Sequence, residues 1–270
     1  MPNPIIYYFY GSNLTKNIGY NMDFWIYVLV VLVGIAAGFI NTIAGSGSLL
    51  TLPLLIFLGL PANVANGTNR IGVLLQSLVA TGSFKQKRVF EWKEGVWLTI
   101  PATIGSFAGA ALAINLDDEL MNRIIGGLLI FMFLLMLYKP ERWIKSHDKA
   151  AKVKPSFLQI LIFFGIGLYG GFIQAGVGFF LLAGLVLGAG YDLLKANAIK
   201  VLIVLAFTAV ALAVFIYNNQ VDYKLGLILG LGSMIGAWIA THVAIKKGSE
   251  FIRWFVLVAV FVFAVKLLFF

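Results

Sequence analysis

The 270-residue chain contains no cysteine. That excludes disulfide bonds, thiolate metal sites and a cysteine nucleophile, and leaves the compartment open. Charge is also scarce: 11% of residues are Asp, Glu, Lys or Arg, against roughly 25% in an ordinary soluble domain. The eleven carboxylates all fall in loops or at the ends of apolar runs: Asp23, Glu91, Glu94, Asp117, Asp118, Glu119, Glu141, Asp148, Asp192, Asp222 and Glu250. With none in mid-span, a proton relay on a buried Asp or Glu has no residues to use. A paired-carboxylate or two-metal enzyme site is equally unsupported. Histidine occurs twice, at His147 in a basic loop and at His242 near the end of a span. No catalytic residue, metal ligand or cofactor is predicted, and an enzyme is not expected.

What the chain has instead is apolar length. Hydrophobic residues make up 61% and mean hydropathy is +0.96. A soluble protein of this length could not hide that much apolar surface from water; a bilayer removes the problem. The apolar runs cover 24–44, 49–60, 71–84, 95–114, 123–138, 157–175, 179–190, 199–217, 225–245 and 252–270. A spanning helix takes roughly 20 residues. The runs 49–60 and 179–190 are too short for that and fit broken or re-entrant helices. Glycines introduce each of them, Gly45-Ser46-Gly47 and Gly176-Val177-Gly178. The first run lacks an Ala-x-Ala-type cleavage site followed by a soluble domain, so it is read as a retained span rather than a signal peptide. Trp25, Trp92, Trp143 and Trp254 lie near run ends, where interfacial belts form; Trp238 is in mid-span, with core and pathway both open to it.

The halves resemble each other at a separation of 131 residues. Ala44, Gly45 and Gly47 match Ala175, Gly176 and Gly178; Asn66 matches Asn197; Lys93 and Gly95 match Lys224 and Gly226; Glu119 matches Glu250. The net charge of +9 resides in short loops, which is the positive-inside pattern and not a nucleic-acid footprint. Lys85, Lys87, Arg88 and Lys93 mark 85–94 as cytoplasmic, while 115–119 carries only acidic charge. In the second half the bias reverses: 218–223 has no cation and 246–250 opens on Lys246-Lys247. Opposite bias at equivalent loops predicts opposite insertion. The expected fold is an all-α integral membrane protein, a polytopic helical bundle of two inverted repeats of about five segments each, with a short broken or re-entrant helix in each half and both termini outside. Its parts are a polar N-terminal segment (1–22), a first repeat (23–138), a basic cytoplasmic linker (139–156) and a second repeat (157–270).

The polar residues gather at the breaks. Asn41, Thr42, Gly45, Ser46, Gly47 and Ser48 form the richest cluster, and Gln174, Gly176 and Gly178 stand at the matching break. Small residues let backbone approach a ligand, and a helix beginning after Gly47 points N–H groups and its positive dipole end at an anion. Tight helix crossing is the competing use of such residues. Asn66, Thr68, Asn69 and Arg70 precede the third run, and Asn197 and Lys200 stand at the start of its mate. A cation in the first turn of a helix opposes the dipole, so an anionic ligand held by the Arg70 fork and the Lys200 ammonium is one reason for it; snorkelling to a headgroup is the other. Gln76, six residues past Arg70, is placed to line a pathway or to make a core hydrogen bond.

The run Gly38-Phe39-Ile40-Asn41-Thr42-Ile43-Ala44-Gly45-Ser46-Gly47, then Pro53, then Asn63-Val64-Ala65-Asn66-Gly67-Thr68-Asn69, resembles the TauE/SafE sulfite exporter family, also called the toluene sulfonate uptake permeases. Gly170-Gly171-Phe172-Ile173-Gln174-Ala175-Gly176-Val177-Gly178 is similar to its second-half counterpart. The resemblance implies a prokaryotic inner-membrane transporter of seven or eight spans for sulfite, sulfoacetate or another small organosulfonate. The expected partners are that anion and the lipid bilayer, with a homodimer allowed and no nucleic acid. A non-transporting membrane anchor or an ion channel is the alternative.

Overall fold

The computed structural model describes residues 19–90, 92–137 and 155–269. Most of the predicted N-terminal segment, and all of the basic linker but Pro155 and Ser156, lie outside the described residues, as does Trp143. Within them the chain is helical: α1 (Gly19–Ile43), α2 (Ser48–Phe57), α3 (Ala62–Gln86), α4 (Trp92–Ala113), α5 (Asp118–Leu137), α6 (Phe157–Phe172), α7 (Val177–Ala183, running on into a π turn at Gly184–Gly188), α8 (Leu193–Tyr217) and α9 (Tyr223–Phe269). The last helix breaks at Gly248, with φ 71° and ψ −166°. Counting its two arms separately, each of the ten apolar runs coincides with a helical segment.

Several end-of-run polar residues turn out to be helix caps. Asp192 accepts from the N–H groups of Leu194 and Lys195. Ser156 and Gln159 form a capping box at α6. Asp117 and Asp222 accept from Leu120 and Leu225. Each satisfies donors that a helix start leaves unpaired.

The expected starts of the third and eighth segments are corrected. Pro61 opens α3 at Ala62 and Asp192 opens α8 at Leu193, so the polar stretches before 71 and 199 are helix interior. Arg70 and Lys200 therefore lie not in a first turn but roughly 10–12 Å into their helices, at 1.5 Å per residue. In α3 low hydropathy hid these turns, because their polar groups are paired by the packed bundle instead of solvated.

Two helix pairs build the frame, α1 with the first arm of α9 and α4 with α6. Glycines spaced by four run along all of these contacts: Gly34 and Gly38 meet the backbone of Leu229 and Ser233, and Gly167 and Gly171 meet that of Ala102 and Ser106. In return Gly232 and Gly236 meet Val31 and Ile35, and Gly105 and Gly109 meet Phe164 and Leu168. A Cβ on Gly171 would lie 2.0 Å from the Ser106 carbonyl oxygen, so only glycine permits this spacing. Exchanging α1 with α6 and α4 with α9 turns one pair into the other. The registers differ from the single 131-residue shift: Gly34 to Gly167 is 133 residues, and Gly105 to Gly232 is 127.

The opposite faces are greasy and open. Trp97, Ile100, Ile104 and Phe107 on α4 and Leu227, Leu231, Ile235 and Trp238 on α9 are exposed at helical spacing. Such stripes suit lipid and not water, and Trp238, 55% exposed, belongs to them rather than to the core or a pathway. Trp25 and Trp254 are exposed as well. Among the described residues, four stretches are long and apolar enough to cross a bilayer: Phe24–Ile43, Gly95–Ala113, Leu193–Tyr217 and Tyr223–Ile252. The ten residues of α2 reach only about 15 Å, half of the roughly 30 Å hydrocarbon core.

Candidate functional site

Two broken helices meet in the interior. The chain leaves α1 at Ile43 and re-enters helix at Ser48; it leaves α6 at Phe172 and re-enters at Val177. Gly45 and Gly176 turn with φ of 80° and 72°, the left-handed region that glycine occupies without penalty. The breaks touch: the Gly178 N–H donates to the Gly45 carbonyl at 3.2 Å, and a Cβ on either glycine would fall 2.2–2.3 Å from the other's Cα.

A helix that stops inside a protein leaves carbonyls that need donors. At the end of α1 the donor is Lys200, whose Nζ lies 3.1 Å from the Asn41 carbonyl and 2.7 Å from that of Thr42. At the end of α6 it is Arg70, which donates to the carbonyls of Gly170 (3.1 Å), Gly171 (2.6 Å) and Phe172 (3.4 Å). The Asn66 amide adds a bond to Phe172 at 2.8 Å, and the Arg70 guanidinium stacks 4.6 Å above the Phe215 ring. Arg70 is 0% and Lys200 1% exposed. Each cation thus caps the broken helix of the opposite half, where the dipole's negative end favours it. Among the described residues neither cation has a carboxylate partner, and the one ion pair, Glu119 with Arg123, is on the surface.

Lys200 also faces a narrow void, lined by Asn41, Thr42, Gly45, Gln76, Ser77, Gln174 and Gly178 and by valines of α3, α7 and α8. A second void shares Asn41, Val73 and Gln76 and adds Gly47, Ser48, Thr51, Asn69 and Ser233. Each has room for about one water. In the second, Thr51 donates to Asn69, which donates to Ser48 at 3.1 Å. Gln174 donates to Thr208.

The structure therefore gathers Asn41, Thr42, Gly45, Gly47, Ser48, Asn69, Gln76, Gln174, Gly178 and Lys200 around two adjoining voids. It leaves Arg70 and Asn66 at the α6 end and lines neither void with them. The Thr68 hydroxyl accepts from the Asp222 N–H at 2.8 Å, and Gly176 makes a turn. Ser46 and Asn197 are buried with a hydroxyl and both amide atoms unpartnered. Sequence reasoning missed Thr51, Ser77 and Ser233. Thr51 stands three residues after Ser48 on one helix face, a readable signal; Ser233 arrives from α9 and carries none. Together the lining offers an ammonium, amides and hydroxyls. No carboxylate is buried among the described residues, and no group of three His, Asp or Glu stands ready for a metal there. Such a lining favours an anion over a cation.

The family described as Sulfite exporter TauE/SafE matches residues 30–267. The chain is similar to a probable membrane transporter protein of a Sinorhizobium species, ORF9, at 29% identity over 92% of this chain and 94% of the relative. It is similar to one from Haemophilus influenzae at 28%, over 92% and 97%, and to YfcA of Escherichia coli at 28%, over 88% and 87%. No solved structure gives a significant match.

Proposed function

Because the chain belongs to the TauE/SafE family of membrane transporters, we propose that this multi-pass protein carries a small sulfur-containing anion, sulfite, sulfoacetate or another organosulfonate, across the cell inner membrane. The observation that supports this best is Lys200, buried without a carboxylate among the described residues and facing a void where amides and hydroxyls stand among glycines and valines. Its ammonium supplies the charge. Asn41, Thr42, Gln76, Ser77 and Gln174 supply hydrogen bonds, and Ser48 and Asn69 line the way in. Arg70 and Asn66 act one step back, by holding α6. Ser46 and Asn197 are among the buried groups with unpartnered atoms that can join a rearranged site.

The voids are far smaller than a sulfite ion, so the described arrangement is a closed one. In this reading, the halves are inverted repeats that open by rocking against each other. The reciprocal glycine-lined pairs, α1 with α9 and α6 with α4, each join one half to the other, so they are the surfaces across which such a motion would slide.

The test is flux in proteoliposomes. Wild type is expected to move radiolabelled sulfite or a sulfonate. Gln76→Leu, which keeps the bulk and removes the amide, raises KM about tenfold with an unchanged melting temperature, the pattern of a lost substrate hydrogen bond. Protein that ignores every anion and conducts cations would end this reading.

A further inference from the structure

In transporters with broken helices, the open carbonyls at half-helix C-termini are where a coupling sodium ion is coordinated. Here five such oxygens are present, from Asn41 and Thr42 at the end of α1 and from Gly170, Gly171 and Phe172 at the end of α6. All five are already bonded by side-chain donors of the same charge that a metal ion would bring. A hard cation also needs several oxygens at once, usually with a carboxylate among them, and no carboxylate is buried among the described residues.

We propose that Lys200 and Arg70 are tethered cations standing where a coupling metal ion would bind, so that the transport cycle needs no sodium. The two are not equivalent. Arg70 is closed off by the α6 carbonyls and the Phe215 ring. Lys200 uses two carbonyls and borders the void, so its ammonium is the one that can turn from α1 to an arriving anion. Uptake of the anion and release of the α1 end are then one event, with no second ion required. The flux part of this inference rests on the anion-transport reading above; the occupancy part does not.

Purified full-length protein tests both. Wild type is expected to melt at the same temperature in sodium chloride and in N-methylglucamine chloride, and to carry sulfite equally fast in each. Lys200→Ala removes the charged donor from the Asn41 and Thr42 carbonyls, the first of which keeps only the Gly45 N–H, and leaves space for a small amine. Added ethylammonium is expected to raise its melting temperature by several degrees, as a ligand of the folded state does, and to leave wild type unchanged. Lys200→Arg, which keeps a cation at the same carbonyls, should fold and stay indifferent to both sodium and ethylammonium. Sodium that stabilises wild type, or that speeds its flux by about tenfold or more, overturns the proposal. So does a folded Lys200→Ala that ignores ethylammonium. Wild type that carries neither sulfite nor sulfonate fails the transport reading alone, and the melting measurements still judge the tethered cations.

Discussion

Arg70→Met lowers the melting temperature of the detergent-solubilised protein by on the order of 10 °C, and Arg70→Lys by about half as much. The substitution strips the donors from the carbonyls of Gly170 and Gly171, while Asn66 still serves Phe172. Two buried carbonyls left without donors cost about 1–3 kcal/mol each. The stack on Phe215 is lost as well. Against this, methionine spares the protein the desolvation of a buried guanidinium, itself worth several kcal/mol. With the carbonyl losses at the upper end of that range, the balance is about 2–4 kcal/mol of destabilisation, which at about 2–4 °C per kcal/mol gives the expected shift. Lysine restores one charged donor group but not the fork that spans neighbouring carbonyls. The order wild type, Arg70→Lys, Arg70→Met in a thermal melt is the required result. Equal melting of all three would mean that the α6 end finds other donors and that the cap is dispensable.

Gly45→Ala is expected to reduce anion flux by about a hundredfold, with helix content by circular dichroism unchanged. Two costs act at once. A φ of 80° charges an alanine about 1 kcal/mol. Its Cβ would also stand 2.3 Å from the Gly178 Cα and 2.6 Å from the Gly178 carbonyl carbon, where carbon atoms in contact keep about 3.5 Å. The breaks must separate by more than about 1 Å, and a displacement of that size in a binding site is worth about two orders of magnitude. Gly178→Ala tests the second cost, since its Cβ meets Gly45 at 2.2 Å without the backbone penalty. Gly59→Ala tests the first, since Gly59 has φ 94° and nothing within 4 Å of its would-be Cβ. Flux should fall steeply in the first two variants and hold in Gly59→Ala. A Gly45→Ala protein as active as wild type would show that the contact of the breaks has no part in the cycle.

The segments and breaks were legible because they rest on local signals. Ten apolar runs met ten helical segments, and the glycines before 49–60 and 179–190 marked the interruptions at Gly45 and Gly176. The starts of α3 and α8 were not legible. Residues such as Asn63, Asn66 and Asn69 look like loop in a greasy chain until the rest of the bundle supplies their partners: the Leu116 carbonyl for Asn63, Phe172 for Asn66, Thr51 and Ser48 for Asn69. The cations were picked out by type and by their similar places in the two halves. Their use was not, because the Lys200 contacts lie 158 and 159 residues away in sequence and those of Arg70 lie 100 to 102 away. Glycines spaced by four were visible throughout; which helix each would face depends on the assembled bundle.

The crossed caps also impose an order on biosynthesis. The ribosome delivers the Asn41 and Thr42 carbonyls roughly 10–30 s before Lys200, at about 5–20 residues per second. Through that interval the end of α1 sits in the insertion machinery without its charged donor, and Arg70 waits in the same way for the end of α6. The first half cannot reach its final shape until the second is made, so the bundle closes in a late step that joins both halves together.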